Sequence, residues 1–169
     1  MKKFFLQAFF FTAIAVFPVR LMGQVSSTVT DINVDANIIA PISVENTGST
    51  HINFGTITRS TTAGTVTVSP TNDISCTDGA TVLGTTHSAA TFKATGEPSA
   101  QYSIGFSDCT LYTNDEAYSM IVDGFTTNAN KQLDANGIEE FAIGATLHVK
   151  ASQATGTYTG TLDVTISYQ

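Results

Sequence analysis

The side chains that could do chemistry are few and scattered. His51, His87 and His148 stand far apart, and none falls in an H-x-H or H-E-x-x-H spacing that would turn two imidazoles onto one zinc ion. They read as surface or strand-face histidines. Serine, histidine and aspartate all occur, but the G-x-S-x-G turn that presents a serine nucleophile is missing. Asp134-Ala135-Asn136-Gly137 resembles the first half of a calcium loop, where alternate oxygen ligands and a glycine wrap a hard cation. Glu139 and Glu140 come too soon to close such a loop, so a turn is favoured over a calcium site. Asn114, Asp115 and Glu116 could supply oxygens near Asp108, although a solvated acidic loop explains them more simply. Glu139 and Glu140 are adjacent on an expected strand and so face opposite ways, which prevents them from working as an acid and base pair. There is no tryptophan; Tyr112 and Tyr118, in or beside the acidic loop, could stack on a sugar or pack at a core rim. These residues nominate no catalytic group, cofactor or metal, and the chain is read as non-enzymatic.

Cys76 and Cys109 are the only cysteines, so one pairing exists. In an oxidising compartment after export a structural disulfide is expected, and closing that loop would stabilise the fold by roughly 3–4 kcal/mol. A redox pair would call for C-x-x-C spacing, which is absent.

Export is indicated by the start of the chain. Lys2 and Lys3 precede an apolar run from Phe4 to Phe17, Pro18 ends it, and Gly23 before Gln24 offers a cleavage point. Residues 1–23 are therefore expected to be a signal peptide, leaving no segment that inserts in a membrane. Its removal takes away Lys2, Lys3 and Arg20 and no acid, which moves the formal charge from −7 to −10. Arg59, Lys93, Lys131 and Lys150 are the remaining permanent cations. So acidic a surface opposes binding to nucleic acid or anionic lipid, both of which depend on clustered Lys and Arg.

The elements that must position these residues read as strands. Short runs rich in threonine, valine and glycine alternate between apolar and polar, and helical periodicity is nearly absent. Strands are expected at Ile52–Ile57, Gly64–Ser69, Ala80–Thr86, Ala90–Thr95, Gln101–Ser107, Tyr118–Phe125, Glu139–Ala151 and Thr157–Tyr168. Asp78-Gly79, Gly96-Glu97-Pro98, Asp123-Gly124 and Asn136-Gly137 supply the turns between them. Eight or nine such strands predict an all-β chain folded as one antiparallel β-sandwich over residues 39–169.

Two segments carry an assembly pattern. Near the C-terminus Tyr158, Gly160, Leu162, Val164, Ile166 and Tyr168 alternate with polar residues, giving one apolar face. Ahead of the domain, Ile32, Val34, Ala36 and Ile38 alternate with Asp31, Asn33, Asp35 and Asn37. Residues 24–38 therefore serve either as the domain's own first strand or as an extension given to a neighbour, and the sequence does not separate the two uses.

The penultimate Tyr168, with Gly156 fourteenth from the end, resembles the C-terminal signature of subunits assembled by the bacterial chaperone–usher pathway. That resemblance implies a strand held first by a periplasmic chaperone, beside a groove later filled by the N-terminal extension of the next subunit. A second resemblance covers nearly all of the mature chain. Ile52-Asn53-Phe54-Gly55-Thr56-Ile57, Gly64-Thr65-Val66-Thr67-Val68, Ala90-Thr91-Phe92 through Thr95-Gly96, Ile143-Gly144-Ala145-Thr146-Leu147 and Gly156-Thr157-Tyr158-Thr159-Gly160 resemble the secreted bacterial domain of unknown function 4402. That family is similar in pattern to the spore coat protein U type of archaic pilin, which implies an immunoglobulin-like sandwich completed by donor-strand exchange, and polymerisation. The expectation is a non-catalytic subunit of a surface fibre or fimbria, a homopolymer or a polymer with related subunits, exported through the periplasm to the cell surface. The alternative is a self-complete secreted sandwich that binds carbohydrate or a surface protein.

Overall fold

The alternation that dominates the sequence becomes twelve strands in a computed structural model that describes residues 32–169. The expected signal peptide, 1–23, and the extension as far as residue 31 lie outside the described residues. Two units are distinguished, Met1–Asn37 and Ile38–Gln169. In the first, residues 32–37 form no strand and are exposed throughout.

Within the second unit the strands are β1 (Ser43–Asn46), β2 (Thr56–Ile57), β3 (Gly64–Val68), β4 (Ile74–Asp78), β5 (Val82–Leu83), β6 (Ala90–Thr95), β7 (Tyr102–Phe106), β8 (Cys109–Thr113), β9 (Ser119–Thr127), β10 (Ile138–Val149), β11 (Tyr158–Thr159) and β12 (Val164–Tyr168). All pairings are antiparallel, and the sheets make a curled half-barrel with no helix among the described residues. The main sheet runs β1-β6-β10-β9-β8-β11, with β3 and β4 joined to it through β10; β12 pairs with β7, and β2 with β5.

β10 organises the whole. Its first half, Ile138 to Ile143, pairs with β6, its second half, Ala145 to Val149, pairs with β3, and β9 runs along Ile143 to His148. The edge passes from one neighbour to the other at Gly144, where a side chain would run into the Val68 carbonyl and Pro70. That close approach is the reason for glycine in the Ile143-Gly144-Ala145 motif. The core divides at the same point. Val66, Val68, Met120, Val122, Ala145 and Leu147 pack in one cluster, and Ala94, Tyr102, Leu133, Phe141 and Ile143 in the other. Each large side chain buried there contributes roughly 1.5–3 kcal/mol.

Several expectations are corrected. β1, β4 and β8 form where no strand was expected. The strand expected over Ala80–Thr86 shrinks to β5, that over Ile52–Ile57 to β2 and a bridge from Asn53 to Ser88, and that over Thr157–Tyr168 divides into β11 and β12. Asp123-Gly124 is no turn but the interior of β9, where Gly124 has φ 59° and the register against β10 shifts, as at a β-bulge.

The expected Cys76–Cys109 disulfide is also corrected: both thiols are free, Cys76 exposed and Cys109 buried. Register explains it. Cys76 pairs with Val66, Val66 with Leu147, Leu147 with Val122, and Val122 with Cys109. The two cysteines end one cross-strand row, four strand spacings or about 19 Å apart along the sheet. A disulfide tolerates a Cα separation of only about 7 Å.

Candidate functional site

A groove of about 640 Å³ lies between two stretches of extended chain. One wall runs from His51 to Arg59 and includes β2; the other runs from Gln153 to Gly160 and includes β11. Leu111, Met120, Leu147 and Val149 line it between these walls, so the core cluster around Val66 and Leu147 reaches its surface.

Both walls have an edge to spare. Among the described residues β2 pairs only with β5, and β11 only with β8. Asn53 exchanges main-chain bonds with Ser88 at 2.8 and 2.9 Å, which directs those of its neighbours Ile52 and Phe54 to the opposite side. The groove is thus bordered by strand edges and floored by apolar side chains, with no described strand between them.

One end of the groove is closed. Ser152 donates its N–H to the Ser60 carbonyl at 2.7 Å, and Arg59 Nη2 approaches the Ser152 carbonyl at 3.5 Å. A second hollow of about 380 Å³ adjoins this end; it shares Arg59, Gln153 and Ala154 with the groove and adds Tyr118 and Lys150.

Three of the seven residues expected to form the assembly strand lie at this feature. Gly156, Tyr158 and Gly160 line the groove. Tyr158 Oη donates to the Ala154 carbonyl at 2.8 Å and accepts from Gln153 Nε2 at 2.9 Å, which stiffens that wall. Farther along, Leu162, Val164, Ile166 and Tyr168 are half-buried while the residues between them are exposed, so the alternation read from the sequence holds residue by residue. β12 pairs only with β7, so its second edge is also without a strand partner among the described residues.

Tyr168 has a further role that the sequence did not reveal. Its hydroxyl accepts the Glu97 N–H at 2.6 Å and donates to the Ala40 carbonyl at 2.8 Å, while the Glu97 carboxylate accepts the Ala40 N–H at 2.9 Å. The penultimate residue therefore fastens the chain two residues after Ile38. Gly96 leaves the space, because a side chain there would collide with the Tyr168 hydroxyl.

The described part of the extension is exposed. Ile32 is 72%, Val34 89% and Ile38 94% exposed, and Ala36 is exposed as well.

The other candidates do not converge. His148 Nε2 lies 2.7 Å from Asp123 Oδ1 on an exposed strand face, His51 Nδ1 lies 2.8 Å from the Thr50 hydroxyl, and His87 Nε2 lies 3.0 Å from the Asn72 carbonyl. Among the described residues no hydroxyl is hydrogen-bonded to His148. Asp134 accepts the N–H groups of Ile138 and Asn136, both at 2.8 Å; the Ile138 bond leads in holding its carboxyl below the usual range. That carboxylate is engaged in its own turn. Asp115 likewise accepts the Thr113 hydroxyl at 2.6 Å and then the Ala117 N–H, which lowers its pKa. No group of three or more His, Cys, Asp or Glu that could hold a metal lies together among the described residues.

Glu139 and Glu140 do face opposite ways: Glu139 is buried and Glu140 exposed. Glu139 accepts the Tyr102 hydroxyl at 2.7 Å and the Asn130 N–H at 2.5 Å, a tie between β7, β10 and the loop before β10. Burial, and then the carboxylate, push the Tyr102 hydroxyl above the ordinary phenol range. Tyr112 and Tyr118 are exposed, at 45% and 53%.

Comparison with known families agrees with the motifs. The model of the family described as Domain of unknown function (DUF4402) matches residues 42–168. The chain belongs to the DUF4402 family. The DUF4402 match includes both walls of the groove, the forked β10 and Tyr168, and it begins after the Ile32–Ile38 extension. No curated protein and no solved structure matches the chain.

Proposed function

We propose that this DUF4402 protein is a non-catalytic structural subunit of a bacterial surface fibre, an immunoglobulin-like sandwich short of one strand, in which the Ile32–Ile38 extension of one copy completes the next. The groove between residues 51–59 and 153–160 carries this reading. It combines an apolar floor with two unpaired strand edges, the surface that strand addition uses for both side-chain and main-chain recognition. The dimensions agree. Nine residues of wall extend about 30 Å and the seven residues 32–38 about 23 Å. Left open, such an edge invites unspecific pairing, which gives a periplasmic chaperone bound along residues 157–168 a protective role before assembly at the cell surface.

Deleting residues 24–37 tests the reading. Export and the fold of the remaining chain are expected to persist while polymers disappear from the cell surface; unchanged polymers would refute it. The exposed Tyr112 and Tyr118 favour a second reading, a self-complete secreted domain that binds carbohydrate. A stable, heat-reversible monomer of the mature chain would select that reading.

A further inference from the structure

The groove is unusual in its charge. The full chain holds 14 acidic residues, yet none lines the groove or the adjoining hollow. Residues 24–169 hold four permanent cations, and two of them, Arg59 and Lys150, stand at this one closed end. Arg59 belongs to both spaces. The extension has the opposite character: residues 24–41 contain Asp31 and Asp35 and no Lys or Arg. If Ile32, Val34, Ala36 and Ile38 point into the groove, Asp31 and Asp35 lie on the outer face of the same strand, within reach of long cationic side chains at the rim.

Building on the strand-complementation reading, we infer that Arg59 and Lys150 form a charge gate that selects the acidic extension of a second copy of this chain, pairing with Asp31 and Asp35 as it enters. Two acidic copies repel one another at long range. A local basic patch at the groove end offsets that repulsion for the one segment that must dock there. Charges at an exposed rim act mainly on the rate of association and its salt dependence, while the apolar floor holds the strand once seated. Each exposed pair changes the rate about two- to fivefold, and the two together about tenfold.

The test measures assembly of the mature chain, residues 24–169, by light scattering and size exclusion at low and high salt. Wild-type assembly is expected to slow about tenfold as salt rises. The Arg59→Glu/Lys150→Glu chain should assemble about tenfold slower than wild type at low salt, with Arg59→Gln/Lys150→Gln between them. Adding Asp31→Lys/Asp35→Lys to the first variant should restore the rate to within about threefold. Lys93→Glu/Lys131→Glu changes net charge equally away from the groove and should leave the rate within about twofold. Circular dichroism of each variant shows whether it is folded. A wild-type chain that assembles at a salt-independent rate, an equal slowing by the Lys93/Lys131 control, or a charge swap that restores nothing overturns the gate alone. A wild-type chain that never assembles overturns strand complementation as well.

Discussion

The strand-complementation reading makes a phase-specific prediction about Val34. In the free extension Val34 is 89% exposed, so nearly all of its burial energy is still to be gained, roughly 1.5–3 kcal/mol on docking. Val34→Asp forfeits that gain. It also brings a carboxyl group against Leu111, Met120 and Leu147, none of which can hydrogen-bond it, and an unpartnered polar group costs a further 1–3 kcal/mol or so. Ordering the extension costs about 1–2 kcal/mol per residue, but the same residues are ordered in either peptide and the term cancels in the comparison. The lost affinity is then about 2.5–6 kcal/mol, which is roughly a thousandfold at the middle of that range. Asn33→Ser, on the other face, should change affinity by less than about threefold.

Synthetic peptides of residues 24–38 provide the assay. Each is titrated into assembling mature protein as a competitor for the groove, and the concentration that halves polymer yield is read. The wild-type and Asn33→Ser peptides should compete alike, and the Val34→Asp peptide should fail at a hundred times that concentration. Equal potency of the Val34→Asp and Asn33→Ser peptides would refute the proposal that the even-numbered side chains enter the groove.

Tyr168→Phe removes the two hydrogen bonds that tie Glu97 and Ala40 to the last strand, about 1–3 kcal/mol in all, and should lower Tm by about 4–8 °C in calorimetry; a shift under about 1 °C would count against the tie. Glu139→Gln keeps an acceptor for the Asn130 N–H and a partner for Tyr102 and should stay within about 1 kcal/mol, whereas Glu139→Ala orphans both and should cost about 2–4 kcal/mol in urea unfolding. Thiol labelling of the native protein should modify the exposed Cys76 and spare Cys109, whose thiol is pushed up by burial; mass spectrometry that finds the two joined would overturn the register described above. The Asp134 carboxyl is held below its unfolded value, so its contribution is present above about pH 4 and is lost as pH falls through the native value; Asp134→Ala should therefore weaken the fall of Tm between pH 5 and pH 3.

What the sequence made legible was local. Alternation identified Leu162, Val164, Ile166 and Tyr168 as one face of a strand, and each is half-buried between exposed neighbours. It did not show the interruption between β11 and β12, because the pattern runs on through residues 160–163, which belong to neither strand. Gly144 could be read as part of a motif, but its reason, the Val68 carbonyl, comes from a strand more than seventy residues away. The cysteines failed for a related cause. Two residues in an exported chain look like a pair, and only the register across β4, β3, β10, β9 and β8 shows that three strands stand between them. The groove was hidden for the same reason: its walls, 51–59 and 153–160, are brought together by topology, and no local pattern announces a space.

The burial of the last strand bears on the proposed assembly. A strand with so regular an apolar face, lying over a fully covered core, would bury that face outright, as Val66 and Val68 do on β3. Leu162, Val164, Ile166 and Tyr168 stop at half-buried, and the chain ahead of the domain carries apolar side chains at the same spacing with nothing covering them. One segment has an apolar face in excess and the other an incomplete covering. Under the proposed strand complementation, the extension of one copy would cover the apolar floor of the groove in the next and bury its own apolar face in the same step.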